Sequence, residues 1–400
     1  MPRINASGRL SFSKKLVQLL TSENQIEVQN IATQVENDNV KRKEIENEIL
    51  LQAEELLKNE PVRAYQRVLI VEGENWHPGV IGIVAARLLE KYGKPTIVIS
   101  KMDVVARGSC RSIEGFSLYE AIKTCAKYLV RFGGHPLAAG FELKCDDLNK
   151  FKNDINNFAK NFGVMPCLSL NIDCKLNSEA LSLDLIEQLE PLEPFGKDNP
   201  EFTFGLYNMK ICDITFVGAE KNHLRLTLSR NSHKITAMKF FTTAQDFSYE
   251  FNDEVDLAVK LSKSEFRGQE SLTLIIDGIK FSGLDNKLLI DEQRVYESIK
   301  RNEQVNSKLL QEHTPSRADF SVLYKFLKAN NPINIDISVL YYRLKDFKIS
   351  FCKLLIMLDA MAECVLITME TSADMYSINV NPVNGKVDLE SSVIMKFLRK

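Results

Sequence analysis

Cysteines spaced as C-x-x-C are missing from this 400-residue chain, so the ligand spacing of zinc ribbons and thioredoxin-like sites is excluded. The eight cysteines present are Cys110, Cys125, Cys145, Cys167, Cys174, Cys212, Cys352 and Cys364. Scattered in this way, they read as small buried hydrophobes in a reducing compartment. Long apolar runs are also missing. The most hydrophobic late stretch, 352–369, carries Lys353, Asp359 and Glu363, and charges there make a membrane crossing costly. MPRINASGRL has no apolar signal core, so a cytoplasmic protein without a membrane partner is expected. Excess charge is lacking too: 51 Lys and Arg face 53 Asp and Glu, a net of -2. Any nucleic acid must then be held by a local basic groove, because there is no bulk positive charge. Internal repeats are absent. What is present, 44% hydrophobic and 26% charged residues, is ordinary globular composition and enough for several domains.

Residues 1–23 look like the end of a preceding domain, too short to bury a core of their own. A long helix is expected over 24–60, where Ile31, Val35, Ile45, Ile49, Ala53 and Leu56 fall near helical spacing without Gly or Pro. It either joins two domains, braces their sides or belongs to a local bundle. Over 66–163 the period alternates. VLIV, PTIVIS and VVARGSC read as strands, and VIGIVAARLLEKY and SLYEAIKTCAKYL as helices. FGGHPLAAGFEL reads as a glycine turn feeding a strand or short helix, and about 146–162 as a closing helix. This is an α/β domain. Over 166–283, LSLNIDCKL, KICDITFVG, HLRLTLS, KITAMKF, VDLAVKLSKSE and SLTLIIDGIKF predict short strands and a small barrel or sandwich. Over 284–400, three helices and two strands joined through Thr371–Asp374 follow the order of a winged helix-turn-helix.

Three short motifs suit an anion. In Asn75-Trp76-His77-Pro78-Gly79, Pro78 fits a first helical turn whose free N–H groups attract negative charge. A turn closed by local contacts explains it equally. Gly108-Ser109-Cys110-Arg111-Ser112 offers hydroxyl and guanidinium donors among small residues. Its plain alternative is a strand end with one surface arginine. Gly133-Gly134-His135-Pro136-Leu137-Ala138-Ala139-Gly140 permits a close backbone approach beside a histidine, or simply a core histidine at a turn. Neither His77 nor His135 has the neighbours of a metal ligand. Between Arg67 and Cys145 eleven Lys and Arg stand against seven Asp and Glu, a local excess within a slightly acidic chain.

PRINASGR, NWHPGVIGIVAARL, GSCRS, FGGHPLAAG and LEPFGKDNPEFTF occur in this order. The set resembles the RecJ family of single-stranded-DNA-specific exonucleases, in the DHH phosphoesterase superfamily, from Met1 to about Gly283. PSRADFSVLYKFL and KVDLESS are similar to the additional C-terminal domain of Gram-positive members. The resemblance implies a DHH-associated α/β domain, an oligonucleotide-binding (OB-type) barrel and a winged-helix-like α+β domain. The family's Asp-His-His motif is found nowhere in this sequence. The chain is therefore expected to be the C-terminal portion of a 5′-to-3′ exonuclease of DNA repair and recombination, inactive by itself. Mn²⁺ or Mg²⁺ would be held by residues outside it.

The resemblance also implies roles. His135, with Gly133 and Gly134, faces the catalytic cleft. Ser109, Arg111 and Ser112 receive the 5′ end of the strand, with Cys110 where the family usually has alanine. Trp76 and His77 lie nearby. Arg3, Asn5 and Arg9 close the catalytic domain. In the barrel Phe240, Phe241, Phe266 and Arg267 are candidates for base stacking and phosphate contact. Phe195-Gly196-Lys197-Asp198-Asn199-Pro200 reads as a structural turn. The expected partners are single-stranded DNA and, through the C-terminal domain, a single-strand-binding protein or a helicase. Two alternatives stand beside this reading: a non-catalytic binding module for single strands or repair proteins, and a nanoRNA phosphodiesterase. The barrel speaks against the second.

Overall fold

Asn24 starts a long helix by accepting the free N–H groups of Ile26 and Glu27 at its side chain, a standard N-cap. The computed structural model describes residues 14–399 apart from 197, 232, 267 and 384, and the chain divides into two units, Met1–Leu168 and Ser169–Lys400.

In the first unit, α1 (Lys14–Thr21) precedes α2 (Gln25–Asn59). Then come β1 (Leu69–Glu74), α3 (Ile81–Tyr92), β2 (Thr96–Met102), β3 (Val105–Arg111), α4 (Leu118–Thr124), β4 (Leu129–His135), β5 (Ala138–Lys144) and α5 (Leu148–Asn161). Helix α2 buries Ile49, Ala53 and Leu57, a stripe at four-residue spacing. In the last turn Leu57 is buried, and the expected Leu56 packs half-buried against the same core. The stripe joins Leu69, Val71, Trp76, Val84 and Leu88 in one core. Across the helix pair, Glu46 accepts from Arg87 at 2.5 Å and Glu54 from Lys91 at 2.6 Å. The sheet runs β1-β2-β3-β5-β4, with β1 and β2 parallel and the others antiparallel. Its second face packs Ile70, Ile97, Ile99, Cys110 and Phe141 against α4 and α5 through Leu118, Ile122, Phe151 and Ile155. The GGH segment belongs to β4. The turn is Pro136-Leu137, and it leads straight into β5.

The second unit holds β6 (Cys174–Lys175), α6 (Leu183–Leu189), β7 (Phe204–Val217), β8 (His223–Arg230), β9 (His233–Lys239), β10 (Glu254–Phe266) and β11 (Gln269–Phe281). The order β7-β8-β9-β11-β10 closes through β10–β7, with β9 and β11 parallel. This is an OB-type barrel. Leu224, Leu226 and Leu228 alternate into its core with Leu206, Ile211, Val255, Leu257 and Leu274. Of the strand expected at LSLNIDCKL only Cys174–Lys175 pairs. Asn199 donates to the carbonyls of Leu192 and Pro194 and so explains its motif as a turn.

Then follow α7 (Asn286–Lys300), α8 (Ser307–His313), α9 (Arg317–Ala329), β12 (Ile333–Asp336), α10 (Ile337–Arg343), α11 (Phe351–Glu363), β13 (Ile367–Ser372), β14 (Met375–Val380) and α12 (Val393–Leu398). From α9 to β14 the order is that of a winged helix, with sheet order β12-β14-β13. The second helix of its helix-turn-helix pair, α11, is buried through Leu354, Leu355, Ile356, Met357 and Leu358 in succession. Glu292 caps it at the Cys352 N–H, and Asp359 accepts from Tyr296 and Lys300 at 2.7 Å each. Within this unit Arg343 grips Asp253 with two nitrogens at 2.8 and 2.6 Å. Tyr342 stacks on Phe281 at 3.8 Å and 4°, so the winged helix is fastened to the barrel.

Candidate functional site

Strand β3 alternates. Ala106, Gly108 and Cys110 turn into the core, while Arg107, Ser109 and Arg111 face the other way. Gly108 is glycine because a Cβ would lie 2.1 Å from the Phe141 ring. Burial pushes the Cys110 thiol up despite the neighbouring Arg111, so it is no nucleophile at neutral pH.

Register then sets three rows on one sheet face. Arg111, Ala138 and His135 form the first, Ser109, Gly140 and Gly133 the second, and Arg107, Glu142 and Arg131 the third. Arg111 and His135 are two strand spacings apart, roughly 10 Å between Cα atoms. The middle row has almost no side chain and makes a glycine floor. His135 and Gly133 are exposed on the edge strand, so His135 is not a core residue. In the third row Glu142 accepts from Arg107 at 2.9 Å and Arg131 at 2.7 Å. The Arg131 guanidinium, helped by that of Arg107, holds its carboxyl below the usual carboxylate range.

Helix α3 borders the floor on the β3 side. A Cβ on Gly82 would lie 2.9 Å from Ser109 Oγ and 3.3 Å from Arg111 Nη2, so the first helical turn rests on both side chains. Arg111 is steadied by a bond from Nη1 to the Cys110 carbonyl at 2.8 Å. His77 accepts the Val80 and Ile81 N–H groups at its carbonyl. Its Nδ1 accepts the Gly79 N–H at 3.1 Å, which leaves the proton of the neutral ring on Nε2.

The two glycines of the GGH motif differ. Gly134 has φ 144°, and a Cβ would lie 2.4 Å from the Ala138 carbonyl oxygen, whereas a Cβ on Gly133 would meet nothing within 4 Å. The fold requires Gly134, and Gly133 leaves open space.

Two expected contacts are corrected. Trp76 is only 4% exposed, and its N–H donates to Gln52 on α2 at 2.6 Å. It is a core residue that welds the turn to α2. The Ser112 hydroxyl donates to the Phe116 carbonyl at 2.5 Å and holds a turn. Arg3, Asn5 and Arg9 lie outside the described residues, as do the side chains of Phe266 and Arg267. Phe240 and Phe241 are exposed. Sequence reading missed Arg107, Arg131 and Gly82; the period of two through Arg107, Ser109 and Arg111 was the available signal. Among the described residues no three His, Cys, Asp or Glu side chains gather where they could hold a metal ion. No helix among them is long and apolar enough to cross a membrane.

The sheet with its glycine floor and the closed barrel that follows define the class: a DHHA1-type α/β domain joined to an OB domain. Two family models match, the DHHA1 domain over residues 64–161 and the RecJ OB domain over residues 172–278. Over these two domains the chain is similar to members of the RecJ family. It is 31% identical over 245 residues to the single-stranded-DNA-specific exonuclease RecJ of Bacillus subtilis, covering 60% of this chain and 31% of that protein. With its Escherichia coli counterpart it is 29% identical over 289 residues, covering 70% and 50%. The crystal structure of RecJ in complex with Mg²⁺ from Thermus thermophilus superposes with a TM-score of 0.60 at 25% identity, over 71% of this chain and 43% of that one. The chain thus spans between 31% and 50% of the length of these relatives.

Proposed function

We propose that this chain is the substrate-holding portion of a 5′-to-3′ exonuclease specific for single-stranded DNA, acting in DNA repair and recombination. The observation that carries the reading is the sheet row joining Arg111 to His135 beside a floor of Gly133 and Gly140. A phosphodiester can approach such a floor closely, with a guanidinium at one side and an imidazole at the other. Arg111 would take the terminal 5′ phosphate, and His135 the strand near the scissile bond. Ser109 and His77, through Nε2, would add donors. The barrel would bind single strand through its own face.

The described residues do not fit a metal site. Mn²⁺ or Mg²⁺ and the hydrolytic step would belong to a domain bearing the Asp-His-His motif, outside these 400 residues. The C-terminal winged helix would serve a protein partner, such as a single-strand-binding protein or a helicase. This is supported by the burial of α11, which keeps the second helix of the helix-turn-helix pair from entering a major groove. The test uses a 5′-phosphorylated single strand with Mn²⁺. The chain alone should bind it and release no nucleotides, and the chain joined to a RecJ metal-binding domain should digest it from the 5′ end. Metal-dependent release by the chain alone, abolished by a substitution within it, would overturn the reading.

A further inference from the structure

The outward face of β8 and β9 carries an ordered set of side chains. Arg225 pairs with Met238, Thr227 with Thr236 and Ser229 with Lys234. One row beyond Arg225, the His223 and Phe240 rings meet edge-on at 5.3 Å. Phe241 adds a third ring, 5.4 Å from His223 at 84°. Phe241 is 85% exposed, yet it sits at φ 56°, a left-handed conformation rarely taken by bulky residues. Its N–H donates to His223 Nδ1 at 3.1 Å, and the next N–H, of Thr242, donates to the Asn222 carbonyl at 2.9 Å. The chain therefore pins an aromatic ring in water, in a strained backbone, with no burial to offset the cost. Such strain points to a contact made outside the chain.

The occupant follows from the place and the neighbours. OB barrels take oligonucleotides on the face of their second and third strands, beside the loop joining the first and second. Here those strands are β8 and β9, and the loop is 218–222. An apolar protein side chain would be served by a hollow. Flat rings followed by a guanidinium, two threonine hydroxyls and a lysine instead suit a base and the phosphates beyond it. We propose that His223, Phe240 and Phe241 form a stacking platform for one unpaired nucleobase, whose backbone runs over Arg225 toward Lys234. The proposal rests on the barrel being a single-strand binder and names the base-binding subsite within it.

The test measures binding of the whole chain to labelled oligo(dT) and to an abasic strand of equal length. Phe241→Asn keeps a residue tolerant of the left-handed turn and removes the ring. Affinity for oligo(dT) should fall about ten-fold, with a melting temperature equal to or above that of the parent. The abasic strand should not distinguish the two proteins. Phe241→Trp should restore binding, with its fluorescence quenched by the strand. If the parent binds oligo(dT) and Phe241→Asn binds equally well, the platform is wrong and the barrel reading stands; the rings would then be left to a protein partner. An equal loss on abasic and ordinary strands would also overturn stacking. Failure of the parent to bind any single strand would instead remove the reading on which the platform rests.

Discussion

Gly133 and Gly134 are adjacent, but alanine should have opposite consequences at the two positions. At Gly134 a Cβ would be driven into the Ala138 carbonyl from a backbone angle that L side chains avoid. Gly134→Ala should therefore cost on the order of 2–4 kcal/mol in urea unfolding. At Gly133 the space is open, so Gly133→Ala should stay within about 1 kcal/mol of the parent and weaken strand binding by lifting the phosphate from the floor. His135 is exposed, and His135→Ala should likewise leave stability within about 1 kcal/mol. In a protein that carries the metal-binding domain it should lower kcat more than it raises KM. Loss of the fold without a separate kinetic effect would return His135 to a structural role. The sequence motif joined these three residues, but it did not separate them by role. Their roles differ because of the cross-strand register with Ala138, Ala139 and Gly140.

Single elements explain what was legible and what was not. Strands β3 and β7 to β11, and helices α2, α3, α9 and α11, announced themselves by period, because each buries one face or is buried throughout. Strand β12, four residues long, is too short to show a period, so the winged helix was read without it. Two glycines before a histidine looked like a turn, yet an edge strand tolerates them because the flanking hairpin fixes the register. Trp76 looked like a ligand contact, since its partner Gln52 stands on a distant helix that no local pattern reveals. Charge contacts between elements were equally hidden. On β1, burial alone would raise the Glu72 carboxyl. Hydrogen bonds from Lys152 on α5 and from Arg63 outweigh it and hold the group below its ordinary value of 4.5. A depressed carboxylate lends stability that is fully present above its unfolded pKa and is lost as pH falls through the folded one. The melting temperature should therefore drop as pH is lowered from about 4.5, the ordinary carboxylate value. Glu72→Gln should flatten that dependence. An unchanged slope would mean that this ion pair does not couple folding to pH.

At the scale of the whole molecule, a net charge of -2 must coexist with the proposed affinity for a single strand. It can do so where a few local cations neutralise phosphates and stacking supplies the rest of the binding. Arg225 and Lys234 on the barrel and, separately, Arg111 on the sheet each offer a cation to a phosphate, whereas Arg131 is engaged by Glu142. At about -0.7 per neutralised phosphate, log K against log salt should fall with a slope near -2 if all three are used. Arg225→Ala should reduce that slope by about 0.7, whereas Phe241→Asn should lower affinity at every salt concentration and leave the slope alone. Duplex DNA should bind more weakly than a single strand of the same length, because paired bases cannot reach the aromatic rings. The winged helix cannot compensate, since α11 is covered and its first turn is capped by Glu292. Fluorescence anisotropy titrations of the 400-residue chain between about 50 and 200 mM salt check all three expectations. A slope near zero would place the binding outside these cations, and equal affinity for duplex and single strand would contradict a stacking groove on the barrel.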